Sequence, residues 1–161
     1  MRRMIIAKLH NVTGIMNRFT AVLNRRQVNI LSITAGVTES QDLTHTTFVI
    51  EVDHLDEVEQ IIKQLNRLID VIEVADITDL PHVEREVVLI KVSAPPTIRA
   101  EIFTMIEPFR VNVVDVNLEN VTIQLTGDSA KIEALIDVVS PYGILNMART
   151  GSAGFEPWVS T

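Results

Sequence analysis

The residues with most to offer chemically lie in a short polar break near the N-terminus, His10-Asn11-Val12-Thr13-Gly14-Ile15. The break separates a run of alternating hydrophobicity from a run of helical periodicity, so it must contain the first turn of a helix. The opening amides of a helix have no internal acceptors and carry the positive end of its dipole, so they can hold a small carboxylate. Gly14 lets a ligand approach the backbone without a Cβ in the way, and Asn11 places a donor and an acceptor just ahead of it. An amino acid's charged end fits such a loop. An ordinary helix start with Thr13 as its N-cap needs no ligand, and spacing alone leaves both readings open.

Other chemistry is sparse. The chain has no cysteine, which removes disulfides, thiolate metal sites, iron–sulfur ligation and a thiol nucleophile together. His10, His45, His54 and His82 are scattered, with no pair at the i, i+4 spacing that sets two imidazoles on one metal, so no metal site is expected. No phosphate-cradling glycine loop and no G-x-S-x-G elbow occurs, and Gly151-Ser152-Ala153-Gly154 reads as loop composition. The carboxylate pairs Glu84 with Glu86 and Asp53 with Asp56 sit in charged stretches and read as solvated rather than as acid–base machinery. No catalytic residue is expected.

A formal charge of −7 repels a phosphate backbone, and 4% aromatic residues leave few platforms for stacking bases, so nucleic acid is not an expected partner. No apolar run approaches the roughly 20 residues that cross a bilayer, and Lys8 interrupts the first apolar stretch with no cleavage site behind it. The sequence therefore reads as cytoplasmic, with no membrane contact.

The elements around the break follow from periodicity. Ile5, Ala7 and Leu9 alternate with Met4, Ile6 and Lys8 as in a strand, and Ile15, Met16, Phe19, Val22 and Leu23 then form one helical stripe. Val28 to Val37 and Leu43 to Val52 read as a hairpin about the turn near Gly36 to Asp42. Asp53 is the expected N-cap of a second helix striped by Leu55, Val58, Ile61, Ile62 and Leu65, and Val71 to Ile77 supplies a fourth strand. The same order then restarts: a strand over Val87 to Val92, a helix whose first turn holds Pro96, strands over Val111 to Leu118 and Val121 to Leu125, a helix opened by Asp128 or Ser129, and a strand over Ile144 to Ala148. The fold class is α+β, two consecutive ferredoxin-like βαββαβ domains over residues 1–80 and 81–161, with an irregular or mobile tail from Gly151 to Thr161.

The run Leu9-His10-Asn11-Val12-Thr13-Gly14-Ile15-Met16-Asn17-Arg18-Phe19, followed by Arg25-Arg26-Gln27-Val28-Asn29-Ile30, resembles the ACT domain of acetolactate synthase (acetohydroxyacid synthase) small regulatory subunits. The stretch Glu59 to Val71, the junction Pro81-His82-Val83-Glu84-Arg85-Glu86 and Ala148-Arg149-Thr150-Gly151 extend the resemblance over nearly the whole chain. It implies a non-catalytic partner of a large catalytic subunit that uses thiamine diphosphate, Mg²⁺ and usually FAD to condense pyruvate with a second 2-ketoacid. None of those cofactors would sit in this chain.

The resemblance also implies that the chain activates that subunit, forms a homodimer through its ACT domains and makes the complex sensitive to valine, the end product. Carried onto matching positions, Asn11, Thr13, Gly14 and Ile15 would take the effector's charged groups. Asn29 and Ile30 of the neighbouring protomer would complete the site, and Thr34 and Ala35 lie further along the same strand. The chain departs from the family pattern at His10, Thr13, Gln27, Val28 and Leu31, which bears on the effector's affinity and identity. A free-standing ACT-type amino-acid sensor is the nearest alternative but would need an output domain. An acyl phosphatase would need an arginine in the first loop, and a metal chaperone of this fold would need paired cysteines.

Overall fold

A computed structural model describes residues 1–157. The chain divides into two units, residues 1–83 with the segment from residue 151 onward, and residues 84–150. Among the described residues no helix is long and apolar enough to cross a membrane.

In the first unit the chain runs β1 (Arg2–His10), α1 (Ile15–Arg25), β2 (Asn29–Val37), β3 (Leu43–Glu51), α2 (Leu55–Leu65) and β4 (Val71–Asp76). The antiparallel sheet has the order β2-β3-β1-β4, which leaves β2 and β4 at its edges. The alternation along β1 separates its two faces. Ile5, Ala7 and Leu9 meet Phe48 and Ile50 of β3 beneath Phe19 and Leu23 of α1 and Ile61 and Leu65 of α2. Met4 instead joins Val49 and Ile77 on the opposite face. Phe19 and Phe48, both fully buried, meet edge to face at 5.0 Å, a geometry that suits the ring quadrupoles.

One local detail differs from the sequence expectations. The second helix has His54 at its N-cap rather than Asp53, with Asp56 and Glu57 in its first turn to complement the dipole. The residue after α1 that closes the turn, Gln27, takes a positive φ of 56°, a conformation usually given to glycine.

The second unit repeats the order with β5 (Val83–Ser93), α3 (Arg99–Ile106), β6 (Asn112–Val116), β7 (Asn120–Gly127), α4 (Ser129–Val139) and β8 (Ile144–Arg149). The path of its sheet is β6-β7-β5-β8, with Val88, Ile90 and Val92 packed against Ile102, Ile106, Ile132 and Leu135. The chain is thus α+β, with two ferredoxin-like units in succession. Asp128 is the N-cap of α4, its carboxylate accepting from the Lys131 amide at 2.9 Å. Pro96 does not lie in the first turn of α3. The amides of Ile98 and Arg99 both bond the Pro95 carbonyl, which makes a separate turn and delays the helix to Arg99.

The tail also differs from the irregular segment expected. Residues Ala153–Phe155 form β9, and Gly151, Ser152 and Gly154 are buried. The described part of the tail groups with residues 1–83, whereas the sequence places it in the domain over residues 81–161; residues 158–161 lie outside the described residues. Loop-like composition did not reveal that its glycines serve close approach to a sheet rather than freedom of movement.

Candidate functional site

The break between β1 and α1 lies at the end of the first sheet where β2 finishes and β3 begins. The Asn11 amide donates to the Asp42 carbonyl at 2.8 Å and its side-chain Nδ2 to the Gln41 carbonyl at 2.9 Å, which ties this loop to the β2–β3 turn. From the other side the Asp70 carbonyl accepts from the His10 amide, and the Asp70 carboxylate pairs with Arg18 of α1 at 2.5 Å. The loop is therefore held by elements on both flanks.

Gly14, not Thr13, is the N-cap of α1, and it contributes no side-chain oxygen. Its φ of +82° and ψ of 0° lie in the left-handed region that glycine enters without penalty. Among the described residues the amides of Thr13, Gly14, Met16 and Asn17 find no acceptor, while that of Ile15 makes a long turn bond to the Val12 carbonyl at 3.3 Å. An ideal Cβ at Gly14 would meet nothing within 4 Å, so this helix start faces open space. Several unpaired donors at the positive end of a helix dipole, without a capping side chain, form an acceptor-seeking surface.

That space is a hollow of about 290 Å³ lined by Asn11, Val12, Gly14, Ile15, Met16 and Asn17 from the loop and helix, and by Ala35, Gly36, Val37 and Thr44 from the adjoining strands. The loop and helix bring free amides, Asn11 and Asn17 to it beside the apolar Val12, Ile15 and Met16, and the strands add the small apolar side chains of Ala35 and Val37, a mixture that suits a compact amphiphile with a charged end. Of the residues singled out from sequence, Asn11, Gly14, Ile15 and Ala35 come together here. Thr13 lies in the loop but off the lining. Thr34 is on the other face of β2, paired with Thr47 and close to Gly151.

Asn29 and Ile30 are at the far end of β2, paired with Glu51 and Ile50, whereas Val37 pairs with Thr44 beside the hollow. At about 3.3 Å per residue, Asn29 lies more than about 20 Å from Val37 in the same chain. Sequence reasoning missed Met16, Asn17, Gly36, Val37 and Thr44. Met16 was visible only as part of a core stripe, and the strand residues reach the hollow through the β2–β3 register, for which the local sequence carries no signal.

The remaining titratable groups have structural partners. The reading of Glu84 and Glu86 as solvated is corrected. The Glu86 carboxylate is 2% exposed and takes the Arg149 Nε at 2.6 Å, Arg149 also reaches Glu133 at 2.8 Å, and Glu84 faces the start of α4 at Ser129. The hydrogen bond to Glu86 raises the Arg149 pKa further above its already basic value, against the opposing effect of partial burial. Arg3 is likewise raised: its burial acts downward and is outweighed by bonds to Asp79 and Asp76, both at 2.7 Å. Among the described residues no cluster of three or more His, Asp or Glu side chains could hold a metal ion.

Residues 5–73 match the family described as AHAS small subunit-like ACT domain, and residues 85–157 match the family described as small subunit of acetolactate synthase. The acetolactate synthase small subunit of Bacillus subtilis (strain 168) is 48% identical over 155 residues, covering 96% of this chain and 90% of the relative. A probable acetolactate synthase small subunit from Archaeoglobus fulgidus is 44% identical, with 94% of each chain covered. The crystal structure of the acetolactate synthase small subunit from Thermotoga maritima superposes with a TM-score of 0.84 at 34% identity, covering 99% of both chains.

Proposed function

Since this chain belongs to the family of acetolactate synthase small subunits, we propose that it activates a thiamine-diphosphate-dependent catalytic subunit and imposes feedback inhibition by valine bound at the hollow beside Gly14. The observation that carries the effector half is the uncapped start of α1, whose free amides face a hollow with an apolar far wall. Valine's carboxylate would take the amides of Thr13, Gly14, Met16 and Asn17, its ammonium the free Oδ1 of Asn11, and its isopropyl group the side of Ala35 and Val37.

In one chain the hollow is open, and a ligand of valine's size needs a second wall to exclude water. That wall is supplied in this reading by a second copy. β2 is an edge strand and carries the exposed apolar residues Leu31, Ile33 and Val37. Antiparallel pairing of two β2 strands about a two-fold axis would bring the start of one beside the end of the other. Asn29 and Ile30, more than about 20 Å away within one chain, would then reach the partner's hollow. Valine would favour one arrangement of the dimer, and a coupling of about 1–3 kcal/mol to the catalytic subunit would change activity several-fold to over a hundredfold.

Thiamine diphosphate, Mg²⁺ and FAD would belong to the catalytic partner, and this chain would supply no reacting group. The test is calorimetric titration with valine, alongside reconstitution with the catalytic subunit in the presence and absence of valine. Saturable binding, activation and valine-dependent inhibition are expected together. A protein that activates the partner but neither binds valine nor confers inhibition would refute the effector assignment.

A further inference from the structure

The segment after β8 is held at both ends more tightly than a trailing tail requires. Thr150 is fixed in the second unit, its amide donating to the Val87 carbonyl at 3.0 Å and its hydroxyl accepting from the Val87 amide at 3.1 Å. The next residue, Gly151, belongs to the first unit. It has a φ of +79°, and a Cβ there would come within 2.7 Å of the Ser32 Cβ and 3.2 Å of the Thr34 hydroxyl. No side chain fits between this backbone and β2 without displacing one or the other.

Three residues on, Gly154 is clasped by β3. Its amide donates to the Thr47 hydroxyl at 3.0 Å, and its carbonyl is approached by the Thr47 hydroxyl at 3.3 Å and by the His45 Nε2 at 2.8 Å. Thr47 is fully buried beneath this contact. Residues 151–155 therefore cross the first sheet at Ser32 and Thr34 of β2 and at His45 and Thr47 of β3.

The same two strands form the strand wall of the hollow on the opposite face. Phe48 and Ile50 turn towards the helices, so the strand alternation turns His45 and Thr47 away from them. Ala35, Gly36 and Val37 follow Thr34 directly, and Thr44 precedes His45. A shift of the β2 edge that widened or closed the hollow would thus move the footing of residues 151–155. One peptide bond joins Gly151 to Thr150.

We propose that residues 151–155 are a strap that transmits the effector state of the hollow to the second unit, an inference that rests on the effector reading above. Packed contacts of this kind switch between discrete arrangements rather than deform smoothly, so a footing with no room for a Cβ suits a two-state relay. The strap should matter for inhibition and not for effector binding or activation.

The test compares wild type with Gly151→Ala, which forces the strap off β2, and Thr47→Val, which removes both hydroxyl contacts to Gly154 at nearly constant volume. Each is titrated calorimetrically with valine and then reconstituted with the catalytic subunit. Both variants are expected to bind valine within a few-fold of wild-type affinity and to activate fully, while the valine concentration for half inhibition rises well beyond that change in affinity, or inhibition is lost. Full inhibition in either variant overturns the strap, and so does loss of inhibition accompanied by loss of valine binding, because the segment would then only be building the hollow. If wild type itself neither binds valine nor is inhibited, the failure is that of the effector reading, and the strap falls with it.

Discussion

Replacing Gly14 with aspartate separates the electrostatic account of the hollow from a merely structural one. At φ +82° an L-residue carries a left-handed strain of about 1–2 kcal/mol, smaller for aspartate, which tolerates this region better than most. No clash is added, because nothing lies within 4 Å of the new Cβ. A carboxylate at the start of α1 also recovers about 0.3–1 kcal/mol from the helix dipole. The net effect on stability is therefore about 1 kcal/mol or less.

The effect on effector binding is larger. The new carboxylate competes for the same free amides, which forfeits charge-assisted hydrogen bonds of about 1.5–3 kcal/mol, and like-charge repulsion in this open hollow adds about 1 kcal/mol. Valine binding should weaken by about 2–4 kcal/mol, roughly thirtyfold to a thousandfold. Calorimetry with valine, a urea unfolding curve and reconstituted activity measure the three quantities separately. Gly14→Ala is the control, since it introduces the backbone strain without the charge: it should lose stability but keep affinity within a few-fold. Equal weakening of valine binding by alanine and aspartate, or unchanged binding in the aspartate variant, would refute the assignment of the amides as the carboxylate cradle.

Further outcomes follow from other parts of the chain. Gln27→Gly relieves the positive φ of 56° after α1 and should stabilise the protein by about 0.5–1 kcal/mol net of glycine's greater chain entropy, read from the urea midpoint. Arg149→Met strands the buried Glu86 carboxylate and should cost about 3–5 kcal/mol, whereas Glu86→Gln leaves a guanidinium that is 29% exposed and able to rehydrate, so its cost in the same unfolding assay should be smaller. Asp128→Ala removes the N-cap of α4 and should cost about 1 kcal/mol, with Asp128→Asn restoring most of it. The Tyr142 phenol, which donates to Glu101 at 2.9 Å, titrates above the usual tyrosine range because ionisation breaks that bond. Its folded pKa is raised, so its contribution to stability is complete below the unfolded value and fades as pH rises through the folded one; Glu101→Gln should bring the ultraviolet titration of Tyr142 back towards the ordinary range.

The ordering of elements and the free amides at the start of α1 were legible in the sequence because both are local. Alternation at Ile5, Ala7 and Leu9 places them on one sheet face whatever lies above it, and the helical stripe from Ile15 to Leu23 needs a face to cover, so two βαββαβ units follow from periodicity. The break from Asn11 to Gly14 announced free helix amides for the same reason, since those donors exist at any helix start.

What only the tertiary structure decided depends on partners distant in the chain. The lining by Val37 and Thr44 is set by the register of β2 on β3, and the burial of Glu86 by the arrival of Arg149 sixty-three residues later. The return of Gly151 and Gly154 to the first sheet is likewise set by hydroxyl and ring groups more than a hundred residues upstream. Periodicity is a property of neighbours and can be read along the chain. Close approach, desolvation and register are properties of surfaces that meet only when the chain has folded.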